Sequence, residues 1–161
     1  MRLIKLAFIS FLVFAGIFFL ISLFLPSGYS IVNSVTVAAP VEKVAPYLED
    51  LSGWKEWNLL TGKDAEYSSN EIKIENISIT KEPSEDNTVS TLWHSEKRKF
   101  TSAIRYFPDA ENPEVTTIQW MIQINTKWYP WEKFASMIFD KQIDRPMQSS
   151  LDSLKNLIQQ Q

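Results

Sequence analysis

Apolar positions follow three different rhythms along the chain. From Leu6 to Leu25 twenty consecutive residues are uncharged and nearly all apolar. At ~1.5 Å per helical residue that run is about 30 Å long, the thickness of a bilayer's hydrocarbon core. From Ile31 to Asn125 the apolar residues come in short alternating runs broken by turn residues, which is the pattern of strands. From Pro130 onward they return at spacings of three and four, the pattern of a helix with one buried face.

The middle section resolves into elements. Ile31–Ala38 is β-branched and reads as a strand. Pro40 suits a first helical turn, and Val41, Val44, Ala45 and Leu48 then recur at helical spacing, with Pro46 limiting the helix's length. Asp50–Trp57 predicts a second short helix or turn, and residues 58–71 are polar without a clear period. Glu71–Thr80 has Ile72 and Ile74 on one face and Ile77 and Ile79 on the other, a face switch that predicts a bulge. Thr88–His94 carries Val89, Leu92 and Trp93. Lys99–Phe107 aligns Phe100, Ile104 and Tyr106, and Glu114–Asn125 aligns Ile118, Trp120, Ile122 and Ile124 opposite Thr117, Gln119 and Gln123. Turn-forming stretches at Pro83–Asn87 and Pro108–Pro113 join these strands into an antiparallel meander. The closing helix, about Pro130 to Gln160, carries Trp131, Phe134, Ile138, Phe139, Ile143, Met147, Leu151, Leu154 and Ile158 in one stripe, with a kink expected at Pro146. Its apolar stripe must lie on the apolar face of the sheet.

Composition divides the chain at Pro26. Before it stand 20 hydrophobic residues in 25 positions and two charges, Arg2 and Lys5. After it the chain carries 14 basic residues against all 19 acidic ones, a net of −5. The first stretch reads as a retained membrane anchor: it ends Leu23-Phe24-Leu25-Pro26, where a cleaved signal peptide needs small residues. Positive charge precedes the span and is absent after it until Lys43, so the charge bias puts residues 1–5 in the cytoplasm. The expected organisation is residues 1–5 cytoplasmic, 6–25 transmembrane, 26–30 linker and 31–161 an exported domain at the cytoplasmic membrane. The acidic balance argues against a nucleic-acid partner, since phosphate contacts need clustered Lys and Arg. With no cysteine, disulfide scaffolds and thiolate metal sites are excluded.

Two stretches carry a resemblance. Ser34-Val35-Thr36-Val37-Ala38-Ala39-Pro40-Val41-Glu42-Lys43-Val44 followed by Leu51-Ser52-Gly53-Trp54-Lys55-Glu56-Trp57-Asn58 is similar to the opening of membrane-anchored bacterial members of the START-like (SRPBCC) superfamily, the polyketide cyclase/dehydrase and lipid-transport group. Phe139-Asp140-Lys141-Gln142-Ile143 through Leu151-Asp152-Ser153-Leu154-Lys155-Asn156-Leu157 resembles its final helix. The resemblance implies an α+β helix-grip fold: an antiparallel sheet curved around the long C-terminal helix, here preceded by a transmembrane helix. It also implies a cavity between sheet and helix for a hydrophobic small molecule or lipid. The lining it suggests is Trp93, Phe100, Ile104, Trp120, Ile122, Trp131, Phe134 and Ile138. Relatives usually carry a glycine-rich turn after the second helix; residues 58–100 here hold one glycine, Gly62, so that hairpin is altered or shortened.

Candidate chemistry adds little to this. His94 is the only histidine, and neither a G-x-S-x-G nor an H-E-x-x-H motif accompanies it, so no hydrolytic triad or zinc site is marked. Acid pairs such as Glu42/Glu49 and Glu111/Glu114 stand beside turns and helix ends, where solvated carboxylates belong. The run Glu96-Lys97-Arg98-Lys99 suits a solvated hairpin, or contact with acidic headgroups. Trp128-Tyr129-Pro130-Trp131 reads as core packing, as a lid, or as a membrane-interface cluster. Binding without catalysis, with no catalytic residue, metal or cofactor, is therefore the first expectation. The alternatives are an interaction protein with a collapsed pocket, whose protein partner the sequence does not name, and a cyclase or hydrolase using His94.

Overall fold

The computed structural model describes residues 2–24, 28–62, 64–96, 99–125 and 130–160; for residues 2, 3, 132 and 134–141 it describes the backbone alone. The apolar run forms α1 (Arg2–Phe24). The rest follows as β1 (Gly28–Val37), α2 (Val41–Glu49), a 3-10 segment (Leu51–Glu56), β2 (Glu66–Tyr67), β3 (Glu71–Ile74), β4 (Ile77–Glu82), β5 (Thr88–Ser95), β6 (Lys99–Pro108), β7 (Thr116–Asn125) and α3 (Pro130–Gln159). The expected α+β architecture is present. β1 begins three residues before the expected Ile31, which takes Gly28, Tyr29 and Ser30 out of the linker and into the sheet.

Among the described residues seven strands make one antiparallel sheet in the order β1-β7-β6-β5-β4-β3-β2. The chain leaves β1 at one edge, crosses the inner face as α2 and the 3-10 segment, and meanders back from the opposite edge until β7 pairs with β1. In place of a bulge, residues Glu75 and Asn76 make a two-residue hairpin between β3 and β4, with Glu75 at φ 31°. That turn shifts the alternation by one, so Ile72, Ile74, Ile77 and Ile79 all lie on one face, with Ile74 opposite Ile77 and Ile72 opposite Ile79.

The core lies between the inner sheet face and the helices. From β1 it takes Ile31, Val35 and Val37; from β7, Ile118, Trp120, Ile122 and Ile124; from α3, Ile143, Met147, Leu151, Leu154 and Ile158. Each such side chain contributes ~1.5–3 kcal/mol of burial. α3 runs through Pro146 without a break. The hydroxyl of Ser150 donates to the Pro146 carbonyl at 2.7 Å and accepts the Leu59 N–H at 2.9 Å, tying the loop after the 3-10 segment to the helix. Nearer the start of the helix, Asn33 of β1 donates to the carboxylate and carbonyl of Asp144 at 3.0 and 3.1 Å.

Candidate functional site

The inner face is built in rows across the strands, and two rows matter. One contains Asn33, Trp120, Ile104 and Val89; the other contains Ile79, Trp93 and Phe100, with Ile124 and Tyr29 continuing it. They lie four residues apart along the strands, or ~13 Å at ~3.3 Å per residue.

The first row is closed by tryptophan. Trp54 and Trp57 descend from the 3-10 segment onto Trp120, with ring centroids 5.2 Å apart for Trp54–Trp57, 6.1 Å for Trp54–Trp120 and 5.8 Å for Trp57–Trp120. The latter two contacts are edge-on, the arrangement aromatic quadrupoles favour. All three residues are fully buried. Their indole N–H groups are used: Trp54 donates to the Leu48 carbonyl at 3.0 Å and Trp57 to the Tyr47 carbonyl at 3.1 Å. Those carbonyls belong to the last turn of α2, which has no intrahelical donors for them. Trp120 donates to Ser102 Oγ at 2.7 Å. Nearby, the buried Tyr106 hydroxyl donates to Glu49; burial first, and then that carboxylate, push the phenol well above the usual tyrosine range.

The second row is different. Trp93 and Phe100 stack at 5.3 Å with their planes 25° apart, and Phe100 is only half-buried. The indole of Trp93 donates to Thr91 Oγ1 at 3.1 Å. Thr91 pairs directly with Ser102 across β5 and β6. Two buried hydroxyls therefore sit side by side on a largely apolar face, each already holding an indole N–H. This is the composition of a hydrophobic pocket with a few fixed polar groups.

Five of the eight expected lining residues, Trp93, Phe100, Ile104, Trp120 and Ile122, share this inner face. Ile104 and Trp120 belong to the closed row; Ile122 lies between the two. Trp131, in the first turn of α3, is 64% exposed and sits at the surface rather than among them. Phe134 and Ile138 fall on α3 where side chains lie outside the described residues, and Trp128 and Tyr129 lie outside them altogether. Apolar periodicity does not mark Thr91 and Ser102, because a threonine and a serine carry no apolar signal. Leu92, which does, points to the opposite face. There Leu92, Ala103 and Met121 floor an open groove of about 530 Å³ rimmed by Glu82, Lys99 and Gln123.

His94 is exposed, next to the inward Trp93 and therefore on the outer face. Glu111 and Glu114 are exposed in the β6–β7 connection, and Glu49 is engaged by Tyr106. Among the described residues no group of three or more His, Asp or Glu side chains gathers to hold a metal.

No family model and no curated protein matches the sequence. Solved structures match its shape. Zhui aromatase/cyclase from Streptomyces sp. R1128 has a TM-score of 0.61 at 13% identity, covering 83% of this chain and 94% of its own. CalU16 from Micromonospora echinospora has 0.59 at 14%, covering 81% and 74%. A START superfamily protein from Mycobacterium smegmatis has 0.50 at 14%, covering 78% and 98%. At these identities the likeness is one of fold, and it is the START-type helix-grip fold that the two sequence stretches pointed to.

Proposed function

We propose that the chain is a membrane-tethered, non-enzymatic binding module for a hydrophobic small molecule or lipid, held between the inner sheet face and the N-terminal half of α3. The observation that carries this reading is the Trp93–Phe100 row. It is aromatic, with Phe100 and Tyr29 half-buried beside the buried Trp93, Ile79 and Ile124, and it is backed by the Thr91–Ser102 hydroxyl pair, while the neighbouring row is sealed by the Trp54–Trp57–Trp120 cluster. The fold shared with a START superfamily protein and an aromatase/cyclase supports it. The one histidine faces away from this row, which favours binding over acid–base chemistry.

The membrane part rests on α1. Ile4–Phe24 is a 21-residue apolar helix whose side chains, apart from Ser22, are exposed, as they are in a span that meets lipid instead of protein. Arg2 just before it and Lys5 in its first turn favour a cytoplasmic N-terminus and a domain on the extracytoplasmic side.

Organic extraction of the purified full chain followed by mass spectrometry tests the reading, with Phe100→Arg as the comparison. A hydrophobic compound retained by the wild type and depleted in the variant is expected. Equal lipid content in both would show that only the anchor carries lipid. One observation favours a second reading, an interaction protein with a closed interior: the open groove at Leu92, Ala103 and Met121 lies on the outer face. Substitution at Met121 would then abolish partner capture while Phe100→Arg leaves it intact.

A further inference from the structure

The end of the domain that carries the Trp93–Phe100 row is also the end from which α1 departs. We propose that this end is a bilayer-docking surface: the starts of β1, β6 and α3 rest on the headgroup layer of the leaflet in which α1 ends. The proposal rests on reading α1 as a membrane span, and goes beyond it by fixing which part of the domain meets lipid.

A tether alone leaves a domain free to swing. Here the first turn of α3 is bonded to the last turn of α1: the buried Lys133 ammonium donates to the Ser22 carbonyl at 2.9 Å. Carbonyls of a helix's final turn lack intrahelical donors and carry the negative end of its dipole, so a cation there both caps and stabilises α1. Ser22 lies two residues before Phe24, ~3 Å along the helix axis. The start of α3 is thereby held at the edge of the hydrocarbon core.

What surrounds that bond suits the interface. Trp131 is 64% exposed one step before the capping lysine's neighbour, and Phe24 is 90% exposed at the end of α1. An indole with an apolar body and a polar N–H favours the headgroup zone. Four residue steps from Phe24 to Gly28 span at most ~14 Å, so the beginning of β1 is held close to the same plane. Register extends this end across the sheet: Gly28 faces Asn125, and β6 starts nearby with the exposed Lys99, a cation suited to lipid phosphate. The opposite end is remote. Leu59, also exposed, bonds Ser150, which lies twenty residues beyond Pro130, ~30 Å along α3. In this orientation a ligand reaches the Trp93–Phe100 row directly from the leaflet.

The chain has no cysteine, so single labelling sites are clean. Spin labels on Gly16→Cys, Trp131→Cys and Leu59→Cys in the full chain, reconstituted in phosphatidylcholine/phosphatidylglycerol vesicles, report depth through collision with oxygen and with a water-soluble nickel chelate. Gly16 has open space around its Cβ position, so a side chain fits there. The expected result is full nickel access at position 59, reduced access at 131 at headgroup depth, and loss of nickel access with high oxygen access at 16. If 131 is as open to nickel as 59 while 16 stays in the bilayer, docking is overturned and the anchor stands. If 16 is in water, both fall.

Discussion

Trp120→Phe examines the packing that divides the inner face. The substitution removes the larger ring from two edge-on contacts, with Trp54 and Trp57, each worth ~0.5–1.5 kcal/mol beyond its buried area. It also deletes the N–H that Ser102 Oγ accepts at 2.7 Å, leaving a buried hydroxyl short of a partner at a cost of ~1–3 kcal/mol. With partial repacking around the smaller ring the expected loss is ~2–4 kcal/mol, below the ~3–5 of a full truncation to alanine. Ser102→Ala strands the indole N–H instead and should cost ~1–3 kcal/mol. Because the two changes remove the same bond, the double variant should fall short of additivity by ~1–2 kcal/mol. Urea unfolding of the full chain in mild detergent, followed by the remaining tryptophans, gives all three differences by linear extrapolation. A loss under ~0.5 kcal/mol for Trp120→Phe, with an additive double variant, would refute the reasoning: the indole would then stand in open space, and the Trp54–Trp57–Trp120 cluster would not seal its row.

Tyr106→Phe should cost ~0.5–1.5 kcal/mol in the same assay, since Glu49 is exposed and can be rehydrated once the phenol is gone. The folded state favours the neutral phenol, so Tyr106 contributes stability that is intact below the unfolded value near ~10 and is lost as pH rises above it. Stability measured from pH 8 upward should therefore fall less steeply in Tyr106→Phe than in wild type, and parallel curves would contradict the assigned burial. Ser150→Ala removes both the acceptor for Leu59 N–H and the donor to the Pro146 carbonyl, and should lower stability by ~1 kcal/mol with faster amide exchange at Leu59. Glu75→Gly relieves a positive φ in the β3–β4 hairpin, so thermal unfolding should show no loss and up to ~1 kcal/mol of gain. A clear loss there would mean that the Glu75 side chain holds the turn.

Much of the fold was readable because β6, β7 and α3 each bury one face against one partner, which imposes clean periods of two and of three to four. Where that condition fails, so does the reading. β2 is two residues long and leaves no period. The β3–β4 hairpin turns on Glu75 and Asn76 in place of glycine, so the break in its alternation resembles a bulge although its isoleucines share one face. In β5 the inward position falls to Thr91 while Leu92 points out, because the Trp93 indole satisfies the threonine hydroxyl and makes its burial tolerable. The candidate site was half legible for a related reason. Trp93, Phe100, Trp120 and Ile122 follow from strand alternation, whereas the meeting of Trp54 and Trp57 with Trp120 is a contact across more than sixty residues that no local pattern encodes. Trp131 fits the apolar stripe of α3 by spacing, yet it stands at the helix's first turn, where the junction with α1 leaves it exposed.

Binding at the Trp93–Phe100 row is the central claim, and photolabelling tests it most directly. The full chain in vesicles would be irradiated with a fatty-acyl probe bearing a diazirine at its chain end, and the adducts mapped by peptide mass spectrometry. Adducts on Trp93 and Phe100, lost when unlabelled apolar ligand competes, are the predicted result. Adducts confined to the helix Ile4–Phe24, unaffected by competitor, would contradict it.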